Sequence, residues 1–282
     1  MKKPIIFTDL DGTLLDYATY SFEAALPALT MLKEEGIPLV ICSSKTRREI
    51  EYYRQKLDNH SPFISENGGG IFVPDGYFGF FGEHPPGEVN GAGGYHIIRL
   101  GARYDDLRAA LKSLRGEGFA VRGFGDMTGE EVASLTGMGI AVAGMAKERD
   151  FDEPFIFSGD EAAVTALFKA IRSRGFTYTK GRFYHLLGNS DKGRAVTLLI
   201  DLFRKHFDDV VTIAIGDSQN DVPMLGCVDH SIIVQQPEGG YEPGISLPRL
   251  IRAPGIGPAG WNTAILELLT DPAFGIATGE KT

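Results

Sequence analysis

A chain of 282 residues, 43% hydrophobic and 23% charged, can bury a sizeable core and has the balance of a globular protein. Its formal charge of −9 excludes a general nucleic-acid binder, which needs a basic face, so an anionic ligand requires a local cluster of Lys and Arg. No apolar run approaches the roughly 18 residues that span a membrane, and the run after Lys2 and Lys3 ends at Thr8, too short for a signal-peptide core.

These features predict a cytoplasmic protein with no membrane partner. Cys42 and Cys227 form neither a metal-type pair nor a disulfide framework, and both lie beside apolar runs that predict buried, inert thiols.

The first element is Ile5-Ile6-Phe7, a short buried strand that Asp11-Gly12 closes in a turn. It delivers Asp9 and Asp11 to the carboxyl end of a strand, where open α/β sheets place their ligands. A helix follows over 22–35, starting nearer Pro27 if Pro takes the tolerated first turn, with Gly36 as its stop. Residues 37–42 form a second strand ending in Ser43-Ser44-Lys45, and a polar helix covers 47–57. A third strand runs into Asn67-Gly68-Gly69. Strand, helix, strand, helix, strand predicts a Rossmann-like parallel sheet with right-handed crossovers.

Gly and Pro accumulate over 77–94, which reads as a linker. Beyond it come a strand at 96–100, a helix at 104–114, a capping-box helix opened by Thr128 and Glu131, a strand at 154–157, a helix at 160–173 and a weakly alternating stretch at 182–187. This predicts an inserted α+β domain over 84–187, with the core built from 1–83 and 188–282. The sheet pattern returns with a helix from Lys192 and a strand over 210–215 that ends in Gly216-Asp217-Ser218-Gln219-Asn220-Asp221.

Neighbouring parallel strands would set Asp9/Asp11, Ser43/Lys45 and Asp217/Asn220/Asp221 on one rim. Clustered carboxylates without His or Cys favour a hard cation held by oxygens, with Mg²⁺ as the expected ion. A carboxylate–metal cluster beside Ser43 and Lys192 suits a phosphate ester.

Asp9-Leu10-Asp11-Gly12-Thr13, Ser43, Lys192 and the 216–221 segment, in that order, resemble the four motifs of the haloacid dehalogenase superfamily, and the insertion resembles its type IIB cap. The resemblance implies that Asp9 is the nucleophile, forming an aspartyl-phosphate, and that Asp11 is the acid and then the base. It implies a Mg²⁺ site at Asp9, the Asp11 backbone carbonyl and Asp217, with Asp221 and Asn220 outside it, and a phosphate held by Ser43, Lys192 and Asn220. The stretches at 41–50, 66–72, 181–193 and 253–262 resemble the mannosyl-3-phosphoglycerate phosphatases, which implies a small-molecule glycosyl-phosphoglycerate substrate whose carboxylate needs further cations. Lys45, Arg47, Asn67, Gly68, Gly69, Arg182 and His185 are the candidates for contacting it. A glucosyl-3-phosphoglycerate or general sugar phosphatase and a phosphomutase share the same motifs. A sensor without catalysis is disfavoured by intact Asp9 and Asp11.

Overall fold

The computed structural model describes residues 2–80 and 93–271. The chain runs through β1 (Lys3–Thr8), α1 (Leu26–Glu34), β2 (Leu39–Cys42), α2 (Arg47–Leu57), β3 (Phe63–Ser65), β4 (Gly70–Pro74) and β5 (Tyr95–Arg99). It continues with α3 (Tyr104–Gly116), β6 (Val121–Gly123), α4 (Gly129–Thr136), α5 (Ile140–Ala146), β7 (Asp152–Phe157), α6 (Glu161–Ser173), β8 (Thr177–Lys180) and β9 (Tyr184–Leu187). It finishes with α7 (Lys192–His206), β10 (Val210–Gly216), α8 (Val222–Leu225), β11 (His230–Gln235), β12 (Ile251–Ile256) and α9 (Pro258–Thr270).

An eight-stranded sheet in the order β12-β11-β10-β1-β2-β3-β4-β5 forms the core, parallel from β12 to β3 and antiparallel at β4 and β5. Its central strands are apolar on both faces because helices cover both. Ile6, Ile41, Phe63 and Ile213 pack under α1, α2 and α9 around the fully buried Trp261, while Phe7, Val40 and Ala214 pack under α7 and α8. The α/β expectation therefore holds, and α1 begins beside Pro27.

The strand at 95–99 is a correction. The sequence predicts it in the insertion, but it pairs antiparallel with β4 across five residues and closes the core sheet's edge. The linker read over 77–94 therefore falls between two strands of the core, and its residues 81–92 lie outside the described residues. We place the crossing into the insertion at Gly101 and Ala102, where Gly188 of the return connection lies against the Ala102 backbone.

The insertion, or cap, is a second antiparallel sheet, β6-β7-β9-β8. Phe155, Tyr184, Leu186 and Tyr178 face α3 and α6, which close one side of the sheet. By the two-residue period of strands, Pro154, His185 and Thr179 face the other way, toward the core.

Candidate active site

Parallel pairing of β1 with β10 and β2 sets three strand ends on one rim, with Thr8 opposite Ile215 and Ile41. Asp9 follows directly, its backbone N–H donating to Ile215 O at 3.0 Å. The strand end is fixed from behind, where the indole N–H of Trp261 donates to Thr8 Oγ1 at 3.0 Å. Gly12 holds φ +78, and a Cβ there would stand 2.8 Å from Asp217 Oδ2, so the turn needs glycine for its conformation and for room.

Lys192, fully buried at the start of α7, places its ammonium 2.6 Å from Asp9 Oδ1 and 2.6 Å from Asp221 Oδ1. Burial works to deprotonate this lysine, but the two carboxylates hold it well above its ordinary pKa. The other oxygen of Asp221 accepts from the backbone N–H groups of Asp217 and Ser218 at 3.0 and 3.1 Å. Asp217 accepts from Thr13 Oγ1 at 3.1 Å. Burial pushes the Asp9 carboxyl up to about 7 against the pull of Lys192, with Asp221 and Asp11 adding to the rise, and it drives Asp217 up as well.

Asp9, Asp217 and Asp221 offer ligand oxygens that all lie within 4.8 Å of one another. Three buried carboxylates against one ammonium leave two formal negative charges in a site that burial makes hostile to them. An oxygen-only, acid-rich cluster of this kind fits a hard divalent cation, which would hold Asp9 as the carboxylate at neutral pH. The Asp11 side chain is not in the cluster. Its Oδ2 pairs with Lys45 Nζ at 3.0 Å, and its buried Oδ1 has no hydrogen-bond partner among the described residues.

Lys45 is buried between Asp11 and Glu49, whose carboxylates keep it charged despite burial, and lies 5.2 Å from the ring centroid of Tyr20. Glu49 is placed by a capping box at the start of α2, with Thr46 as the N-cap.

A cavity of about 730 Å³ opens between this rim and the cap sheet. Of the candidates read from the sequence, Asp9, Asp11, Lys45, Asp217, Asn220, Arg182 and His185 line it. Lys192, Asp221 and Ser43 are not on its lining, and all three are fully buried.

Arg47, Asn67, Gly68 and Gly69 do not line the cavity. Arg47 faces Glu51 one helical turn on, at 3.8 Å. Gly68 approaches Asp191 so closely that a Cβ would meet its carbonyl oxygen at 2.1 Å, and a Cβ on Gly69 would meet Phe151 at 2.3 Å. These glycines permit tight backbone packing between core, cap connection and α7.

Sequence reasoning missed Tyr17, Tyr20, Glu49, Arg149, Gln236 and Glu242, all of which line the cavity. Most sit singly in loops, so no local pattern marks them. Glu49 is the exception, since Thr46 and Glu49 have capping-box spacing; Arg149 stands three residues before β7. Its guanidinium donates to Ser44 O at 3.1 Å and lies 3.7 Å from Asp152.

Arg182 donates to the terminal carbonyls of α4, to Thr136 O at 2.8 Å and Leu135 O at 3.3 Å. With Lys180 it forms the tip of the β8–β9 hairpin, and neither cation pairs with a carboxylate among the described residues.

Glu66 anchors the cap from the core. Its carboxylate accepts from the backbone N–H groups of Asp150, Phe151 and Asp152 at 3.0, 2.8 and 2.8 Å. Burial nevertheless pushes it up to about 8, against Arg149 and those donors. A carboxyl raised by folding keeps a proton that the unfolded chain has released, so its contribution to stability is fullest in acid and declines as pH rises from about 4.5 to about 8. Glu66→Gln is expected to remove part of that decline, which melting temperatures across this window measure; an unchanged slope would exclude Glu66 as its source.

A family model described as haloacid dehalogenase-like hydrolase matches residues 6–77 and 148–238. A glucosyl-3-phosphoglycerate/mannosyl-3-phosphoglycerate phosphatase of Methanococcoides burtonii is 48% identical over 95% of this chain and 97% of its own. A mannosyl-3-phosphoglycerate phosphatase of Pyrococcus furiosus is 40% identical over 82% of this chain and 90% of its own. Among solved structures, the Synechocystis sucrose-phosphatase superposes with a TM-score of 0.62 over 99% of this chain and 100% of its own, at 14% identity, a likeness of fold. By these matches and the order of its motifs, the chain belongs to the haloacid dehalogenase-like hydrolases and, within them, to the phosphoric monoester hydrolases of the mannosyl-3-phosphoglycerate phosphatase family.

Proposed function

We propose that this protein is a Mg²⁺-dependent phosphatase that hydrolyses mannosyl-3-phosphoglycerate to mannosylglycerate and phosphate, with glucosyl-3-phosphoglycerate as an accepted alternative. One observation supports this substrate class above all. A single cavity has Asp9, Asp11 and Asp217 on its floor, with Lys192 bound to Asp9 behind them, and at its roof Lys180 and Arg182, two cations without carboxylate partners among the described residues. A ligand with a phosphate at one place and a carboxylate at another matches both, whereas a plain hexose phosphate has nothing for the second. The M. burtonii relative carries both substrates in its name, which supports the glucosyl alternative.

In this reading Asp9 attacks phosphorus, forming a new P–O bond as the bond to the substrate's alkoxide oxygen breaks. Asp11, free of the acid cluster and held by Lys45, gives that oxygen its proton, then takes one from the water that releases phosphate from Asp9. Lys192 neutralises charge beside the nucleophile throughout. A cation bound by Asp9 and Asp217, with Asp221 behind them, would supply charge stabilisation at the phosphoryl oxygens.

The roof cations provide the test. Arg182→Ala is expected to weaken glycosyl-phosphoglycerates relative to hexose phosphates by roughly 1–2 kcal/mol, at the low end for a charged hydrogen bond because the side chain is exposed. Equal losses of kcat/KM on both substrate types would remove Arg182 from carboxylate recognition.

A further inference from the structure

The turn Glu66-Asn67-Gly68 reaches the cap, and it does so at a conformational cost. All three residues hold left-handed backbone, with φ of 50, 54 and 88, which is unfavourable for Glu and Asn. The turn aims the Glu66 carboxylate at the cap backbone and the Asn67 side-chain amide at Asp152, where Asn67 Nδ2 donates to Asp152 Oδ2 at 2.8 Å. Asp152 is wholly buried at the start of β7 and lies 2.9 Å from His185 Nδ1. On the other side, Asn220 Nδ2 donates to Asn67 Oδ1 at 3.2 Å.

A continuous chain of hydrogen bonds therefore runs from Asn220, on the polar rim after β10, through Asn67 and Asp152 to His185 in the cap sheet. The ring of His185 ends the chain at the cavity wall, between its cross-strand neighbours Pro154 and Thr179. Its Nε2 has no protein partner among the described residues.

We propose that Asn67 and Asp152 are positioning residues that hold the His185 imidazole so that its Nε2 binds a hydroxyl of the substrate's glycosyl group; the inference rests on the phosphatase reading above. With Nδ1 committed to a carboxylate, the ring has one free nitrogen and one orientation. A hydroxyl is the partner that suits this nitrogen in either charge state, because it donates to a neutral ring and accepts from a charged one, whereas a carboxylate or phosphate suits only the charged ring. The two anionic groups of the substrate also have other partners, at Lys192 and at Lys180 and Arg182. The glycosyl hydroxyls remain for His185. The link to Asn220 sets the position of this contact relative to the rim where the phosphate sits, so the sugar contact and the reacting centre are registered against each other.

The test compares kcat/KM for mannosyl-3-phosphoglycerate with that for 3-phosphoglycerate, which keeps the phosphate and carboxylate but lacks the sugar. His185→Ala and Asp152→Asn are each expected to lower that ratio about tenfold, the size of one hydrogen bond, mainly through KM. Because Asp152 acts through the ring, the double variant is expected to lose no more than His185→Ala alone. Losses that multiply in the double variant, or that fall equally on both substrates, would overturn the relay. Should Asp152→Asn fail to melt cooperatively, Asn67→Ala takes its place in the same cycle. A wild-type protein with no preference for the glycosylated ester would instead overturn the substrate reading beneath the proposal, an outcome distinct from additive variants.

Discussion

Asp9→Asn is expected to abolish turnover, by at least ~10³-fold, while leaving the protein folded. An amide oxygen is a poor nucleophile toward phosphorus, and the substitution is nearly isosteric at a position only 5% exposed. It also removes one of the two carboxylates that flank Lys192 and one member of a crowded acid cluster. Since burial and carboxylate neighbours push Asp9 up to about 7 against the pull of Lys192, losing its charge relieves repulsion that the fold otherwise tolerates. The variant should therefore melt no lower than wild type in the absence of divalent cation. Phosphate release together with melting curves checks both halves, and turnover near the wild-type rate would remove Asp9 from the chemistry.

Lys192→Met carries the second large effect, with the opposite sign for stability. The ammonium is fully buried with carboxylate oxygens at 2.6 Å on two sides, so its removal leaves those charges without a counter-ion. Breaking a buried pair by deleting one partner costs about 3–5 kcal/mol, softened here because the stranded carboxylates can take up protons. The loss should accordingly be small in acid and grow as pH rises through the range where Asp9 ionises, near 7. Added Mg²⁺ should raise the melting temperature of this variant by binding the folded state, as it should for wild type. A variant as stable as wild type at pH 8 without added cation would mean that the lysine does not offset the acid cluster, and turnover should fall by at least ~10²-fold in any case.

The rim was legible in the sequence because each piece of it is local. An apolar run followed by Asp-Gly, or by Gly-Asp-Ser, announces a strand end and its polar cargo, and parallel pairing then gathers the ends without further information. Caps were legible for the same reason, as with Thr128 and Glu131, whose reciprocal bonds open α4.

What depended on distant pairing was not legible. Nothing in residues 95–99 says whether they join the cap or the core; only the partner strand β4 decides that. Helix α5, Ile-Ala-Val-Ala-Gly-Met-Ala, is short and made mostly of small residues, so it lacks the stripe that marks a helix. The glycines at 68 and 69 look in sequence like a loop that admits a ligand, yet the Asp191 backbone and the Phe151 side chain pack against them. Cavity residues such as Gln236 and Glu242 are brought in by the loop after β11 and carry no pattern of their own. Lys45, Arg149 and Lys192 pair with carboxylates beside the cavity, whereas Lys180 and Arg182, on its lining, have no carboxylate partner among the described residues.

The most direct test is phosphate release by the purified wild-type protein, with Mg²⁺, from mannosyl-3-phosphoglycerate and glucosyl-3-phosphoglycerate set against hexose 6-phosphates. The expected result is kcat/KM on both glycosyl-phosphoglycerates at least about tenfold above any hexose phosphate, the difference that one charged hydrogen bond to the carboxylate supplies. Hexose phosphates turned over as well or better, or no phosphate released from either glycosyl ester, would contradict it.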